Sequence, residues 1–209
     1  HIYIALCVIM LTGCIPFNSP AKPTGLNNIG TQSIELLDSE RLEWFTDSKD
    51  DYRRIMIQIW YPTKDEKGEK ELYIDHGDIR ARALADYFGY KPFLFKNLTK
   101  IKTNSFKSAK PNSNQKYPLI IFSHGLGGFR SQNTIMVEEL ASHGYVVIGI
   151  EHAYDANVSV FNNGDIADYR SDSNYEERNN NKPTPEEFWA LRLPQLKTRS
   201  CLLYTSPSP

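Results

Sequence analysis

The chain has 209 residues, of which 40% are hydrophobic, 23% charged and 12% aromatic, a balance that excludes a disordered, collagen-like or polytopic membrane protein. Lys and Arg total 24 against 25 Asp and Glu, a formal net charge of -1, so no basic surplus points to nucleic acid. The length predicts one domain, or part of a larger one.

The first residue is His, not Met, and is expected to lie inside a longer gene product. Residues 2–11 (IYIALCVIML) are uncharged and apolar. A run of about ten residues is too short to cross a bilayer of about 30 Å as a helix; it has the length of a signal-peptide h-region. Leu11-Thr12-Gly13-Cys14 resembles the bacterial lipobox, in which small residues fit the peptidase cleft and the Cys thiol receives a diacylglyceryl group. The reading is a lipoprotein-type signal peptide over 1–13, a lipidated Cys14, and a Pro-, Gly-, Asn- and Ser-rich flexible tether over 14–32. It implies a bacterial cell-envelope protein, lipid-anchored on the extracytoplasmic side. A plain secretory peptide, or an apolar strand with a buried Cys, is the alternative.

The domain proper is expected over 33–200. Residues 33–45 (SIELLDSERLEWF) read as two short strands around Asp38-Ser39. Residues 54–61 (RIMIQIWY) alternate, with Ile55, Ile57 and Ile59 on one face and Pro62 as a stop, predicting a strand. A charged loop follows around Gly68. Ile79, Ala83 and Tyr87 have helical spacing, and Gly89 suits a C-terminal cap. Residues 91–107 are mixed, with a second short helix expected. Residues 117–122 (YPLIIF) predict a buried strand. Ser131 is placed as the cap of a helix over 132–143, with Met136, Val137, Leu140 and Ala141 as its apolar stripe and Gly144 beyond its end. Residues 145–150 (YVVIGI) predict a second buried strand, completing a βαβ unit with parallel strands covered on both faces. Residues 157–181 read as a polar loop. Thr184 caps a last helix that opens at Pro185-Glu186-Glu187.

Residues 201–209 (CLLYTSPSP) fit no element, and their back-translation resembles a sequencing-library adaptor, so they are expected to be a non-native tail; a genuine polar tail is the alternative. Cys7 lies in the h-region, Cys14 is the expected anchor and Cys201 lies in this tail. Residues 15–200 contain no Cys, which excludes a disulfide framework, a Cys-based zinc site and a Cys nucleophile from the domain.

The densest motif is Ser123-His124-Gly125-Leu126-Gly127-Gly128, at the carboxyl end of the first buried strand, where open α/β sheets bind ligands. Its glycines let backbone N–H groups approach a ligand. There is no G-x-x-x-x-G-K-[ST], and Arg130 occupies the third glycine position of a dinucleotide fingerprint. The turn instead looks like the His-Gly oxyanion loop of α/β-hydrolases.

FSHGLGGFRSQNTIMVEELASHGYVVIGIEHAYD, ALADYFGYKPFLFKNLTKIKTNSF and RIMIQIWYPT all resemble the secreted platelet-activating-factor acetylhydrolase family, over roughly 53–160 with a weaker echo at 188–199. The resemblance implies the amino-terminal part of an α/β-hydrolase fold, a mostly parallel sheet flanked by helices, cut before the nucleophile elbow. It implies a Ser-His-Asp hydrolase of short or oxidised sn-2 acyl esters of phospholipids, working without metal or cofactor. Leu126 would give its backbone N–H to the oxyanion, with His124, Gly125 and Gly127 shaping the loop. The family's nucleophile stands in G-x-S-x-G, which this sequence lacks. Ser, Asp and His of the triad are therefore expected beyond Ser200, and the 209-residue polypeptide alone is expected to be inactive.

Other residues invite roles. His124 is expected to brace the turn rather than act as a base. Glu151, His152 and Asp155 could ligate metal, but a loop-ordering role is preferred. Asp75-His76-Gly77-Asp78 reads as a turn. Asn97-Leu98-Thr99 and Asn157-Val158-Ser159 are glycosylation sequons that matter only in a eukaryotic secretory pathway. Tyr87, Phe88, Tyr90, Phe93, Leu94 and Phe95 form either a core or cap patch or a lipid-facing surface. Three functions stay open: a lipid-anchored phospholipid-ester hydrolase, a hydrolase of small soluble esters or dienelactones, and a non-catalytic envelope lipoprotein that keeps the fold for binding.

Overall fold

The computed structural model describes residues 19–170 and 184–204. The expected signal peptide and Cys14 lie outside the described residues. The chain forms two compact units, divided after Tyr169.

The first unit is built on a six-stranded sheet. β1 (Asn28–Leu42) and β2 (Tyr52–Thr63) form a long antiparallel hairpin. β1 is one strand with a register shift between Asp38 and Leu42, not two strands broken at Asp38-Ser39. It also begins at Asn28, within the stretch read as tether. Upstream, the Thr24 N–H donates to Glu139 Oε2 at 2.9 Å and the Asn27 N–H to the Ser142 carbonyl at 3.0 Å, so the chain is fastened before the sheet begins.

β3 (Lys70–Leu72) and β4 (Lys102–Lys107) form one edge. β5 (Leu119–Ser123) and β6 (Val146–His152) form the other, giving the order β3-β4-β1-β2-β6-β5. Parallel pairing joins β5 to β6 and β4 to β1; the other pairs are antiparallel. The βαβ unit is present, but β5 is not covered on both faces. Among the described residues it is an edge strand, with Leu119 56% and Ile121 45% exposed.

α1 (Gly77–Phe88) ends on Gly89 as its spacing predicts. It packs on two 3-10 turns, Pro92–Phe95 and Leu98–Lys100, around Ile74, Ala81, Leu84, Ala85, Phe95 and Leu98. Those turns stand where one short helix was expected, and β4 follows directly.

α2 (Thr134–Ser142) covers the sheet. Ile29, Trp60, Val137, Ala141 and Val147 close its core, each large apolar side chain contributing about 1.5–3 kcal/mol by burial. Met136 of the expected stripe is 51% exposed instead. The helix starts after Asn133, without a side-chain cap. The Ser131 hydroxyl, expected there, donates to the Tyr73 carbonyl at 2.8 Å. That bond ties the loop entering α2 to the segment after β3.

β7 (Val158–Val160) and β8 (Ile166–Asp168) form a small antiparallel hairpin within the expected polar loop. It covers Met56, Ala153, Phe161 and Ala167. Among the described residues, no helix is long and apolar enough to cross a membrane.

The second unit contains α3 (Pro185–Tyr204). Thr184 caps it as predicted: Thr184 Oγ1 accepts from the Glu187 N–H at 3.3 Å, and Glu187 Oε2 accepts from the Thr184 N–H at 2.9 Å. This is a reciprocal capping box. The helix continues through Cys201 to Tyr204, where no element was expected.

Candidate active site

β5 ends at Ser123, and the next five residues turn back over the exit of β6. Gly149 of β6 lets the segment just after this turn come close: a Cβ there would lie 2.7 Å from the Arg130 carbonyl oxygen and 3.0 Å from the Trp60 ring. The turn is tied to the end of β6 and to the residues after it at several points. The His124 ring is 2% exposed, and its Nε2 accepts from the His152 backbone N–H at 3.1 Å. Gly127 donates its N–H to the Asp155 carbonyl at 2.9 Å, and Asn157 donates to the Gly128 carbonyl at 2.8 Å. Ser123 Oγ lies 2.9 Å from His152 Nε2. Gly127 has φ 69°, the left-handed region that costs an L side chain strain.

Within the turn, the Gly125 carbonyl accepts from the Gly128 N–H at 3.1 Å and lies 2.6 Å from His124 Nδ1. A Cβ on Gly125 would meet nothing within 4 Å, so space is open beside it. Leu126 is 36% exposed. Among the described residues its N–H has no hydrogen-bond partner. The turn thus presents a backbone donor at the end of a parallel strand while its Gly125 and Gly128 carbonyls are engaged. Such a donor is suited to a negative oxygen.

Below the turn lies a buried ionic cluster that the sequence reading did not anticipate. Arg130 NH1 meets Glu151 Oε1 at 2.7 Å, and Arg80 NH2 meets the same oxygen at 2.9 Å. Asp75 binds both arginines, with Arg80 Nε at 2.5 Å. Arg80 also donates to the Val158 carbonyl at 2.7 Å. Arg80, Arg130 and Glu151 are all buried. Two cations and two anions neutralise one another and join α1, the turn and β6.

Burial pushes the Asp75 carboxyl up, but the Arg80 and Arg130 guanidiniums outweigh it and hold it well below the ordinary carboxylate range. For Glu151 burial likewise acts upward, and Arg130 and Arg80 bring it down. Burial alone would lower Arg80; Glu151 and Asp75 reverse that and raise it. Two sequence signals existed: an Arg in the third glycine position and an Arg one turn into α1. Neither names its partner.

His124, Gly125, Leu126 and Gly127 therefore form one turn. Glu151 is engaged by the two arginines, His152 faces Ser123 and His124, and Asp75 belongs to the ionic cluster rather than to an isolated turn. Among the described residues, no three His, Cys, Asp or Glu side chains group as metal ligands. Of the aromatic group, Phe95 is buried, while Tyr87, Phe88, Tyr90 and Phe93 are exposed. Tyr87 lies against Gly127, which sets its ring beside the turn, and Phe88 packs edge-on against Tyr87.

Residues 44–201 match the family model described as platelet-activating factor acetylhydrolase, isoform II. The chain is 38% identical over 110 residues to the platelet-activating factor acetylhydrolase of Cavia porcellus, covering 50% of this chain and 25% of that protein. It is 30% identical over 131 residues to that of Bos taurus, covering 60% and 29%. A solved ferulic acid esterase from Streptomyces cinnamoneus superposes with a TM-score of 0.62 at 27% identity, covering 73% of this chain and 41% of that one. The chain thus spans about a quarter of the length of these curated relatives. It has an α/β-hydrolase-type fold. By the family model, which covers most of its length, the chain belongs to the isoform II family of platelet-activating factor acetylhydrolases.

Proposed function

We propose that the full-length protein carrying this segment is a serine-dependent carboxylic-ester hydrolase acting on short or oxidised sn-2 acyl esters of phospholipids. The Leu126 N–H, unpartnered among the described residues, is the observation that carries the reading. In the reaction a Ser hydroxyl attacks the ester carbonyl while a His takes its proton and an Asp orients that His. Charge builds on the carbonyl oxygen, and Leu126 supplies one of the donors that stabilise it. The proposed Ser, Asp and His lie beyond Ser200, a reading supported by the lack of G-x-S-x-G in this sequence. The proposed chemistry uses no metal or organic cofactor. The exposed rings of Tyr87, Phe88, Tyr90 and Phe93 give the substrate an apolar approach to the turn.

The lipobox-like Leu11-Thr12-Gly13-Cys14 supports attachment to a membrane through Cys14 on the extracytoplasmic side of a bacterial envelope. A second reading, hydrolysis of small soluble esters, is favoured by the likeness to the ferulic acid esterase. The deciding experiment compares kcat/KM of the full-length protein on a 2-acetyl phospholipid, a long-chain diacyl phospholipid and a feruloyl ester. Preference for the 2-acetyl phospholipid supports the first reading, and preference for the feruloyl ester supports the second. Absence of turnover on all three contradicts both.

A further inference from the structure

The Gly125–Leu126 peptide is one rigid trans plane, so its carbonyl and the Leu126 N–H point in opposite directions. Whatever holds the Gly125 oxygen therefore aims the Leu126 N–H. His124 Nδ1 at 2.6 Å and the Gly128 N–H at 3.1 Å hold it. A carbonyl oxygen only accepts, so Nδ1 must carry a proton. Across the ring, Nε2 receives the His152 N–H at 3.1 Å. A backbone N–H only donates, so Nε2 must keep its lone pair. Together these bonds admit one state of the imidazole, the neutral Nδ1–H tautomer. The ring is 2% exposed, which limits exchange of these partners for water.

We infer that His124 is a positioning residue for the oxyanion donor: as the Nδ1–H tautomer it fixes the Gly125 carbonyl and thereby aims the Leu126 N–H. The inference rests on the proposed role of Leu126. It gives His124 more than a bracing part, because the same side chain anchors the turn to β6 through Nε2 and orients a peptide through Nδ1. Moving the Gly125 oxygen turns the whole plane, and the donor turns with it. Misplacement by about 1 Å can cost on the order of 10²-fold in rate.

The test uses the full-length protein. Long-range proton–nitrogen correlation on histidine-labelled protein at neutral pH reads which ring nitrogen is protonated. A bare Nε2 and a protonated Nδ1 on His124 are expected; the opposite tautomer, or a doubly protonated ring, overturns the inference. The kinetic arm uses a short-chain nitrophenyl ester. His124→Ala removes both contacts, whereas His124→Asn keeps an amide donor near the Nδ1 position and loses the Nε2 acceptor. The Ala variant is expected to lose about tenfold or more in kcat with KM changed less than about twofold, and Asn to recover most of that kcat. A folded His124→Ala that keeps full kcat overturns the inference, as does an Asn variant that regains stability without regaining kcat. If His124→Ala does not fold, the tautomer measurement decides. Leu126→Pro separates the two levels. If it loses turnover while His124→Ala does not, the role of Leu126 stands and that of His124 falls. If folded Leu126→Pro keeps full turnover, the oxyanion reading falls, and this inference with it.

Discussion

Gly127 lies directly against Tyr87: a Cβ on the glycine would come within 2.7 Å of the phenol ring. The two residues belong to different layers, the turn after β5 and the end of α1. Their contact sets how closely the aromatic group approaches the turn.

Gly127→Ala meets two separate penalties. The left-handed φ of 69° costs about 1–2 kcal/mol for an L residue, and the clash with Tyr87 adds to it. In a Tyr87→Ala background only the backbone part should remain. Urea unfolding of the single and double variants of the full-length protein measures this as a coupling energy. Equal cost of Gly127→Ala in both backgrounds would show that the ring yields freely.

Glu151 is fully buried and shared by two arginines. Glu151→Gln leaves Arg80 and Arg130 buried with one carboxylate between them. Removing one partner from such a cluster costs about 3–5 kcal/mol. The variant should show a correspondingly lower urea midpoint, together with a loosened turn. A midpoint equal to wild type would mean that the cluster contributes little net stability.

The same cluster predicts an acid limit. The Asp75 carboxyl is lowered from its ordinary 3.8, and Glu151 from 4.5. Their contribution is therefore fully present above those ordinary values. It is lost as pH falls below them, toward the folded-state values, because the unfolded chain binds protons first. Urea midpoints should be flat from about pH 7 to 5 with respect to these groups and fall steeply below about pH 4. Asp75→Asn should be less stable at neutral pH and show a shallower fall. An identical slope in the variant would remove Asp75 from the explanation.

Cys14→Ala tests the anchor. With Cys14 lipidated, the full-length protein should enter the detergent phase and take up labelled palmitate; the Ala variant should lose the label and be either released or left unprocessed. Equal labelling of both would contradict the anchor.

Where a local rule operated alone, the sequence was readable. The alternating Ile residues of β2 and the capping box of Thr184 and Glu187 needed no distant partner. β4 was missed because its residues, KTNSFK, carry no apolar alternation; pairing with β1 and β3 makes it a strand. Ser131 looked like a helix cap, but the Tyr73 carbonyl, far away in sequence, claimed its hydroxyl. The turn after β5 was legible as a motif because His124-Gly125-Leu126-Gly127 is contiguous. The cluster beneath it was not, because Asp75, Arg80, Arg130 and Glu151 meet only through the fold.

The most direct test of the account is the turnover of folded full-length Leu126→Pro on a short-chain nitrophenyl ester. Proline removes the backbone N–H, whereas Leu126→Ala keeps it and should stay near wild type. Loss of one oxyanion donor costs about 10²–10³ in kcat, or roughly 2.7–4 kcal/mol. The account predicts a loss of that size at nearly unchanged KM, with folding verified by circular dichroism. A folded Leu126→Pro protein with full turnover would contradict it.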